Sequence, residues 1–163
     1  MSNYDTLFLD RDGVINVKLE GRYVQNFSEF KFITGSLNAI LRLSQLFSRI
    51  IIVTNQQGIG KGVMSHVDLI NLHFKMQAEI ERFGGRIDKI YYCPHLQSAN
   101  CLCRKPRPGM IKNAIKDFPE ISIENSYLVG DSDSDIDAGR VMSLNTIKVD
   151  NFYTLEKWTI DLV

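Results

Sequence analysis

Two aspartates stand where the first apolar run of the chain ends, in FLDRDG. Asp10 and Asp12 are two positions apart, so on an extended chain their side chains project in the same direction. Such a pair can supply a carboxylate nucleophile beside a carboxylate that acts as acid or base. Because Asp and Gly are also frequent turn residues, a plain turn is the competing interpretation of this hexapeptide taken alone.

A second acidic cluster, GDSDSD, follows a later apolar run, and its first aspartate is Asp131. A calcium-binding EF-hand loop is excluded, because its sixth and twelfth positions would be isoleucine and methionine instead of glycine and glutamate. Carboxylates this close together need a compensating cation. On a helix that starts near residue 132, Asp131 and Asp135 share a face, whereas Asp133 and Asp137 are expected to be solvated or to cap the helix.

Hydroxyl, amide and cationic groups follow two further apolar runs. VTNQQGIGKG supplies the Thr54 hydroxyl, the Asn55 amide and a glycine-rich loop. Its glycines and lysine do not have Walker A spacing, but the loop can still form a nest of donors for an anion. CRKP adds Arg104 and Lys105. Together with the aspartates, these groups are what phosphoryl transfer through an aspartyl-phosphate requires.

All three cysteines and one histidine fall within the eleven residues CPHLQSANCLC. Cys93, His95, Cys101 and Cys103 fit a tetrahedral zinc site with three thiolates and one imidazole. Four protein ligands leave no open position for water or substrate, so we expect a structural zinc that clamps the loop. Three reduced cysteines beside an unrelated histidine are the alternative.

The bulk composition is that of a globular protein of 163 residues with zero formal net charge. We expect one domain over residues 1–163, acting as a monomer. The balanced charge and the lack of a basic stripe argue against a zinc-folded module that binds nucleic acid. No signal peptide or membrane span is evident, and clustered thiols indicate a reducing compartment, so we expect a cytoplasmic protein without membrane or nucleic-acid partners. His66 and His73 are expected to be surface or packing residues.

Short strands and helices must position these groups. Nearly continuous apolar runs, typical of strands buried on both faces, lie at 6–10, 49–55, 89–93, 126–131 and 145–150. Helical patterns lie at 36–47, 65–85, 108–118 and 135–143. The alternation predicts an α/β fold, a Rossmann-like and mostly parallel sheet with helices on both faces. In such sheets ligands bind beyond the carboxyl ends of the strands, where four of the five runs carry the residues described above.

The four segments FLDRDGVIN, VTNQQGIGKG, CRKPRPGM and VGDSDSD, in this order, resemble the four motifs of the haloacid dehalogenase (HAD) superfamily of phosphatases. The resemblance covers residues 5–150. Within the superfamily the chain looks most like the D-glycero-D-manno-heptose 1,7-bisphosphate phosphatases and the related histidinol-phosphatases. This resemblance implies an HAD-type sheet without an inserted cap domain, Mg²⁺ at its carboxyl edge, and a small phosphorylated metabolite as the substrate.

The resemblance also implies roles for individual residues. Asp10 would attack phosphorus, and Asp12 would protonate the leaving alcohol and then activate water. Mg²⁺ would be held by Asp10, Asp131 and the backbone carbonyl of Asp12. Thr54 would donate to the phosphoryl oxygens and Lys105 would offset their charge. The expected substrate contacts are Arg11, Tyr23, Asn55, Gln56, Lys61 and Arg104.

Two departures bear on the substrate. Ser132 stands where many heptose enzymes have a lysine, for which Lys61 is the candidate substitute, and the loop VKLEGRYV is longer than the common form. The lead hypothesis is removal of a phosphate, the 7-phosphate, from heptose bisphosphate. The five-residue spacer between His95 and Cys101 resembles the histidinol enzymes, so histidinol phosphate is the alternative substrate. Direct hydrolysis by zinc is a third hypothesis, and it predicts activity without the Asp10 carboxylate.

Overall fold

Five strands form one parallel sheet in the computed structural model, which describes residues 4–163. The strands are β1 (Tyr4–Leu9), β2 (Phe47–Asn55), β3 (Lys89–Cys93), β4 (Tyr127–Gly130) and β5 (Asn145–Lys148). The α-helices are α1 (Ser36–Leu46), α2 (His66–Arg82), α3 (Gly109–Asp117), α4 (Asp133–Val141) and α5 (Leu155–Leu162). The spatial order is β3-β2-β1-β4-β5, and every neighbouring pair is parallel.

Each face of the sheet carries its own apolar core, because successive side chains of a strand point to opposite faces. Leu7 and Leu9 of β1 pack on the face covered by α1, α2 and α5. Phe8, which lies between them, packs on the face covered by α3 and α4. The expected Rossmann-like sheet with helices on both faces is confirmed, and within residues 4–163 no second sheet or inserted cap domain interrupts it.

The helix ends differ from the sequence prediction for local reasons. Helix α2 starts after Ser65, which forms a capping box with Asp68. It ends at Arg82, three residues before the predicted end, because Gly84 takes a positive φ of 98° that a helix does not allow. Helix α4 starts two residues earlier than predicted, since Ser132 caps it.

Helix α5 lies beyond the last predicted helix and completes one core. Its Trp158 is buried beside Phe47 and Tyr127, with ring centroids 6.4 Å and 5.8 Å away. Among residues 4–163, none of the helices combines the length and the apolar character that a bilayer crossing demands.

Candidate active site

A cavity of about 250 Å³ opens at the carboxyl ends of the strands. Eight of the residues expected from the sequence line it: Asp10, Asp12, Tyr23, Asn55, Gln56, Arg104, Lys105 and Asp131. They come from the segments that follow β1 to β4, so the parallel sheet brings together groups that lie as much as 121 residues apart.

Three of the carboxylates that line this cavity lie close together. One carboxylate oxygen from each of Asp10, Asp131 and Asp135 lies within 4.8 Å of the other two oxygens. Oxygen ligands of this kind suit a hard cation such as Mg²⁺. Asp135 was not among the predicted magnesium ligands. Asp12 was expected to contribute only its backbone carbonyl, and its carboxylate is not part of the three-carboxylate cluster.

The approach of the first motif to Asp131 depends on Gly13. This residue has a φ of +83°, and a Cβ added to it would lie 2.2 Å from the Asp131 Oδ2 atom. A side chain would therefore be strained in the backbone and would collide with a cavity-lining carboxylate. The glycine of DRDG is required by this close contact as well as by the turn.

Lys105 compensates the charge of the carboxylates. Its Nζ lies 3.0 Å from Asp10 Oδ1 and 2.5 Å from Asp135 Oδ1, and it donates a hydrogen bond of 2.7 Å to the Val53 carbonyl. Burial on its own lowers the pKa of a lysine, but the two carboxylates outweigh it and raise the pKa of Lys105. The buried ammonium group therefore stays charged beside the cavity.

The proposed nucleophile lies in an environment that disfavours its charge. Burial raises the pKa of Asp10 to about 8; Lys105 opposes the rise, and the carboxylates of Asp135, Asp12 and Asp131 add to it. A carboxyl group with that pKa is mostly protonated at pH 7, and a bound cation would favour the carboxylate form. The cluster therefore fits a metal ion on electrostatic grounds as well as by its ligand atoms.

Asp12 is in the opposite situation, since donors surround its carboxyl group. Arg11 Nη2 and Asn16 Nδ2 donate to Oδ1 at 3.0 Å and 2.9 Å, and Gln56 Nε2 donates to Oδ2 at 2.9 Å. Burial acts to raise its pKa, but the Arg11 charge and these hydrogen bonds lower the pKa of Asp12 below its ordinary value. The surroundings of the two aspartates of one motif therefore shift their pKa values in opposite directions.

Three predicted contacts do not line the cavity. Arg11 is fully buried and points away from it, because alternate side chains of an extended segment face opposite ways. Lys61 is exposed, with its ammonium group 5.2 Å from the centre of the Tyr23 ring. Thr54 is buried, and its hydroxyl accepts a hydrogen bond from Gln56 Nε2 at 2.9 Å. Arg11 and Lys61 are therefore not part of the cavity lining, and their contact with substrate stays a prediction.

The cysteine and histidine ligands converge on one point. Four ligand atoms lie within 4.8 Å of one another, one from each of Cys93, His95, Cys101 and Cys103. Cys93 Sγ lies 2.9 Å from Cys103 Sγ and 3.6 Å from Cys101 Sγ, and His95 Nδ1 lies 3.2 Å from Cys103 Sγ. A tetrahedral zinc with Zn–S bonds of about 2.3 Å keeps its sulfurs about 3.8 Å apart. The four donors therefore fit zinc, and they would open slightly around it.

The cysteine loop leads directly into the cationic residues of the cavity. Gly109 N donates to the Leu102 carbonyl at 3.0 Å, and Arg107 donates to the Cys101 carbonyl, so the loop folds onto the start of α3. Arg104, the next residue after the last cysteine, has a buried Nη1 atom without a hydrogen-bond partner. A buried donor of this kind is costly unless a ligand satisfies it, and an anion in the cavity would do so.

Sequence reasoning placed Asp135 on the same face as Asp131 but assigned it no role, and it missed two residues next to the site, Asn16 and His73. Asn16 had a local signal, because it lies four residues after Asp12 in DRDGVIN. His73, whose Nε2 lies 3.0 Å from Arg11 Nη1, had none, since 62 residues separate the two.

Comparison with known proteins agrees with this geometry. A family model described as HAD-hydrolase-like matches residues 102–153. The chain is 43% identical over 131 residues to a D-glycero-alpha-D-manno-heptose-1,7-bisphosphate 7-phosphatase of Mycobacterium bovis, covering 80% of this chain and 69% of the relative. It is 37% identical over 143 residues to the corresponding beta-heptose enzyme of Pseudomonas putida, covering 88% of this chain and 81% of the relative.

A solved structure gives the same result for the fold. The D,D-heptose 1,7-bisphosphate phosphatase from B. bronchiseptica, complexed with magnesium and phosphate, superposes with a TM-score of 0.84. The two proteins are 31% identical, and the match covers 98% of this chain and 87% of that one. The chain therefore belongs to the HAD-like phosphatases, in the branch that contains the heptose bisphosphate phosphatases.

Proposed function

We propose that this protein is a Mg²⁺-dependent phosphomonoesterase that removes the 7-phosphate of D-glycero-D-manno-heptose 1,7-bisphosphate through an aspartyl-phosphate on Asp10. The observation that carries the proposal is the position of Asp10: it lies in the cavity 3.0 Å from the Lys105 ammonium, within a cluster of three carboxylates. The substrate is inferred from the names of the relatives at 37% and 43% identity.

The chain's own residues account for the two steps. Asp10 attacks phosphorus, and the leaving sugar oxygen takes its proton from Asp12. Asp12 then takes a proton from the water that attacks the aspartyl-phosphate, which releases phosphate and restores Asp10. A phosphoryl group beside Asp12 adds negative charge and raises the pKa of that carboxyl, which moves it toward the protonated form that the first step needs.

Magnesium is proposed to be held by Asp10, Asp131 and the backbone carbonyl of Asp12, with Asp135 facing the same point. When bound, it would neutralise charge on the phosphoryl oxygens. Lys105, shared by Asp10 and Asp135, supplies fixed positive charge from the protein itself.

Substrate binding is assigned to the polar groups that line the cavity. The buried, unpartnered Nη1 of Arg104 supports a role in gripping an anionic group of the substrate. Tyr23, Asn55 and Gln56 line the same cavity. Thr54, one residue before Asn55, remains a proposed phosphoryl donor, although its hydroxyl is engaged by Gln56.

The role proposed for zinc is structural. Its four ligands, Cys93, His95, Cys101 and Cys103, leave no position for water or substrate. Bound zinc would fix the loop that leads to Arg104 and Lys105. We also propose that the chain works as a single-domain monomer in the cytoplasm, where a reducing environment keeps the three thiols available for metal.

Phosphate release from a substrate panel tests the proposed reaction. The panel contains both anomers of heptose 1,7-bisphosphate and histidinol phosphate, assayed with Mg²⁺ present. We expect release from heptose bisphosphate and a loss of at least about a thousandfold for Asp10→Asn, which removes the nucleophile. Faster turnover of histidinol phosphate than of heptose bisphosphate would show that histidinol phosphate is the substrate. If the Asp10→Asn variant stays active with zinc as the only metal, direct hydrolysis by zinc would be the mechanism.

A further inference from the structure

The side chain of Arg11 is fully buried behind the catalytic segment. It contacts three different polar groups: Nη2 lies 3.0 Å from Asp12 Oδ1, Nε lies 3.2 Å from Asn16 Oδ1, and Nη1 lies 3.0 Å from His73 Nε2. Arginine has only N–H donors. The atom of His73 that faces it must therefore be an acceptor.

This requirement determines the state of the imidazole. If Nε2 accepts from Arg11, the ring is neutral and its proton is on Nδ1. Burial, followed by the Arg11 charge, lowers the pKa of His73 to about 3, which is consistent with a ring that stays neutral at physiological pH. His73 is thus a permanent acceptor on α2 and not a group that gains and loses a proton.

The contact with His73 completes a three-point anchor of the guanidinium group. Nη2 and Nε reach residues of the catalytic segment itself, whereas Nη1 reaches the helix α2, which packs against the sheet. A planar guanidinium group that is hydrogen-bonded through three of its nitrogens cannot rotate freely. The contact with His73 therefore fixes the orientation of Arg11 relative to the core of the protein. Arg11 in turn donates to the same Asp12 oxygen as Asn16 does.

We propose that His73 is a positioning residue that acts through Arg11 to hold the Asp12 carboxyl group in the orientation needed for proton transfer to the leaving oxygen. His73 does not line the catalytic cavity, so it cannot contact the substrate there. This inference rests on the proposed function in one respect only, the role of Asp12 as the acid.

The test uses the dependence of the rate on the leaving group. A sugar oxygen needs a proton as it leaves, whereas p-nitrophenolate leaves without one, so only the first depends strongly on an oriented Asp12. The kinetic parameter to compare is kcat/KM, because it reports the steps up to formation of the aspartyl-phosphate. The variants are His73→Leu, which removes the acceptor, and His73→Gln, whose amide oxygen can reach the place of Nε2.

For His73→Leu we expect kcat/KM on heptose bisphosphate to fall at least about tenfold, a part of the 10²–10⁴ that general acid catalysis supplies. The loss on p-nitrophenyl phosphate should be at least about fivefold smaller. His73→Gln should recover most of the activity on the sugar substrate. Asp12→Asn serves as the reference and should show the same pattern with a larger difference between the two substrates.

Three outcomes overturn the proposal. One is a folded His73→Leu protein that loses the two activities equally, and the second is one that matches the wild type on both. The third is a His73→Gln protein that is no better than His73→Leu. If His73→Leu does not fold, His73→Asn takes its place, since its shorter amide does not reach Arg11.

The wild-type rate on heptose bisphosphate separates this inference from the proposed function. If that rate is negligible, the substrate proposal fails, and the same comparison is made with any aliphatic phosphate monoester that the enzyme hydrolyses.

Discussion

Lys105 is the positive charge that the structure places between the carboxylates of Asp10 and Asp135, and its removal gives the sharpest test of that arrangement. The residue is 4% exposed, and its Nζ contacts Asp10 at 3.0 Å and Asp135 at 2.5 Å. Lys105→Met keeps a long flexible side chain and removes the charge. Both carboxylates then stay buried without their shared partner.

The expected loss of stability follows from the geometry. Removing one partner of a buried ion pair costs about 3–5 kcal/mol, because the other charge is left uncompensated. With a urea m-value of about 2 kcal/mol/M, a loss of about 4 kcal/mol lowers the unfolding midpoint by about 2 M. Trp158 is the only tryptophan of the chain and is buried, so its fluorescence reports the transition. The buffer should supply zinc and contain no Mg²⁺.

The pH dependence of the loss has a definite sign. Without Lys105 the pKa of Asp10, already raised to about 8, rises further, and the folded variant takes up a proton more readily than the unfolded chain. Stability gained from that proton is lost as pH rises, so the deficit relative to wild type should be larger at pH 8.5 than at pH 6.

Lys148→Met is the matched control. Lys148 pairs with Asp133 at 2.7 Å, but both side chains are exposed, so its removal should leave the urea midpoint almost unchanged. A Lys105→Met midpoint as close to wild type as that of the control would refute the reasoning. So would a deficit that shrinks as pH rises.

Three further outcomes are expected. Because burial raises the pKa of Asp10 from 3.8 to about 8, its proton stabilises the fold at low pH, and this contribution is lost as pH rises toward 8. Mg²⁺ must displace that proton, so Mg²⁺ should raise the melting temperature more at pH 8.5 than at pH 6. An equal rise at both pH values would contradict binding of Mg²⁺ at the three-carboxylate cluster. Cys103→Ser should lose bound zinc in a metal assay and melt about 10 °C lower, whereas one retained zinc per chain would argue against the four-ligand site. Gly13→Ala, whose Cβ would meet Asp131 Oδ2 at 2.2 Å, should lose about a hundredfold in phosphatase activity. Gly21→Ala is its control, with a similar φ of +71° but open space around it, and it should stay active; equal losses in the two variants would show that backbone strain, and not the collision, is responsible.

Much of the fold follows from local pattern. The five apolar runs were recognisable as strands because strands buried on both faces are nearly continuously apolar, and the helices between them because their apolar residues recur at helical spacing. The element ends were less predictable, since they depend on particular caps. Ser132 starts α4 two residues early, and the positive φ of Gly84 stops α2 before the predicted end.

The candidate site was predictable where it depends on the ends of strands. Asp10, Lys105 and Asp131 meet in one cavity because parallel strands bring their carboxyl ends to the same edge. Arg11 and Lys61 do not line that cavity, because a basic residue near a motif can turn inward, or outward to solvent, as easily as toward a ligand.

The amino-acid sequence is enough to derive the order of the motifs, the kind of sheet that carries them and the spacing of the four zinc-ligand candidates. Which charges are paired depends on the packing of elements that are distant in the chain. This packing places Lys105 between Asp10 and Asp135, and it places His73 of α2 against Arg11. The physical reason is that local spacing sets the direction of neighbouring side chains, whereas partners from distant elements are selected by how helices and strands pack.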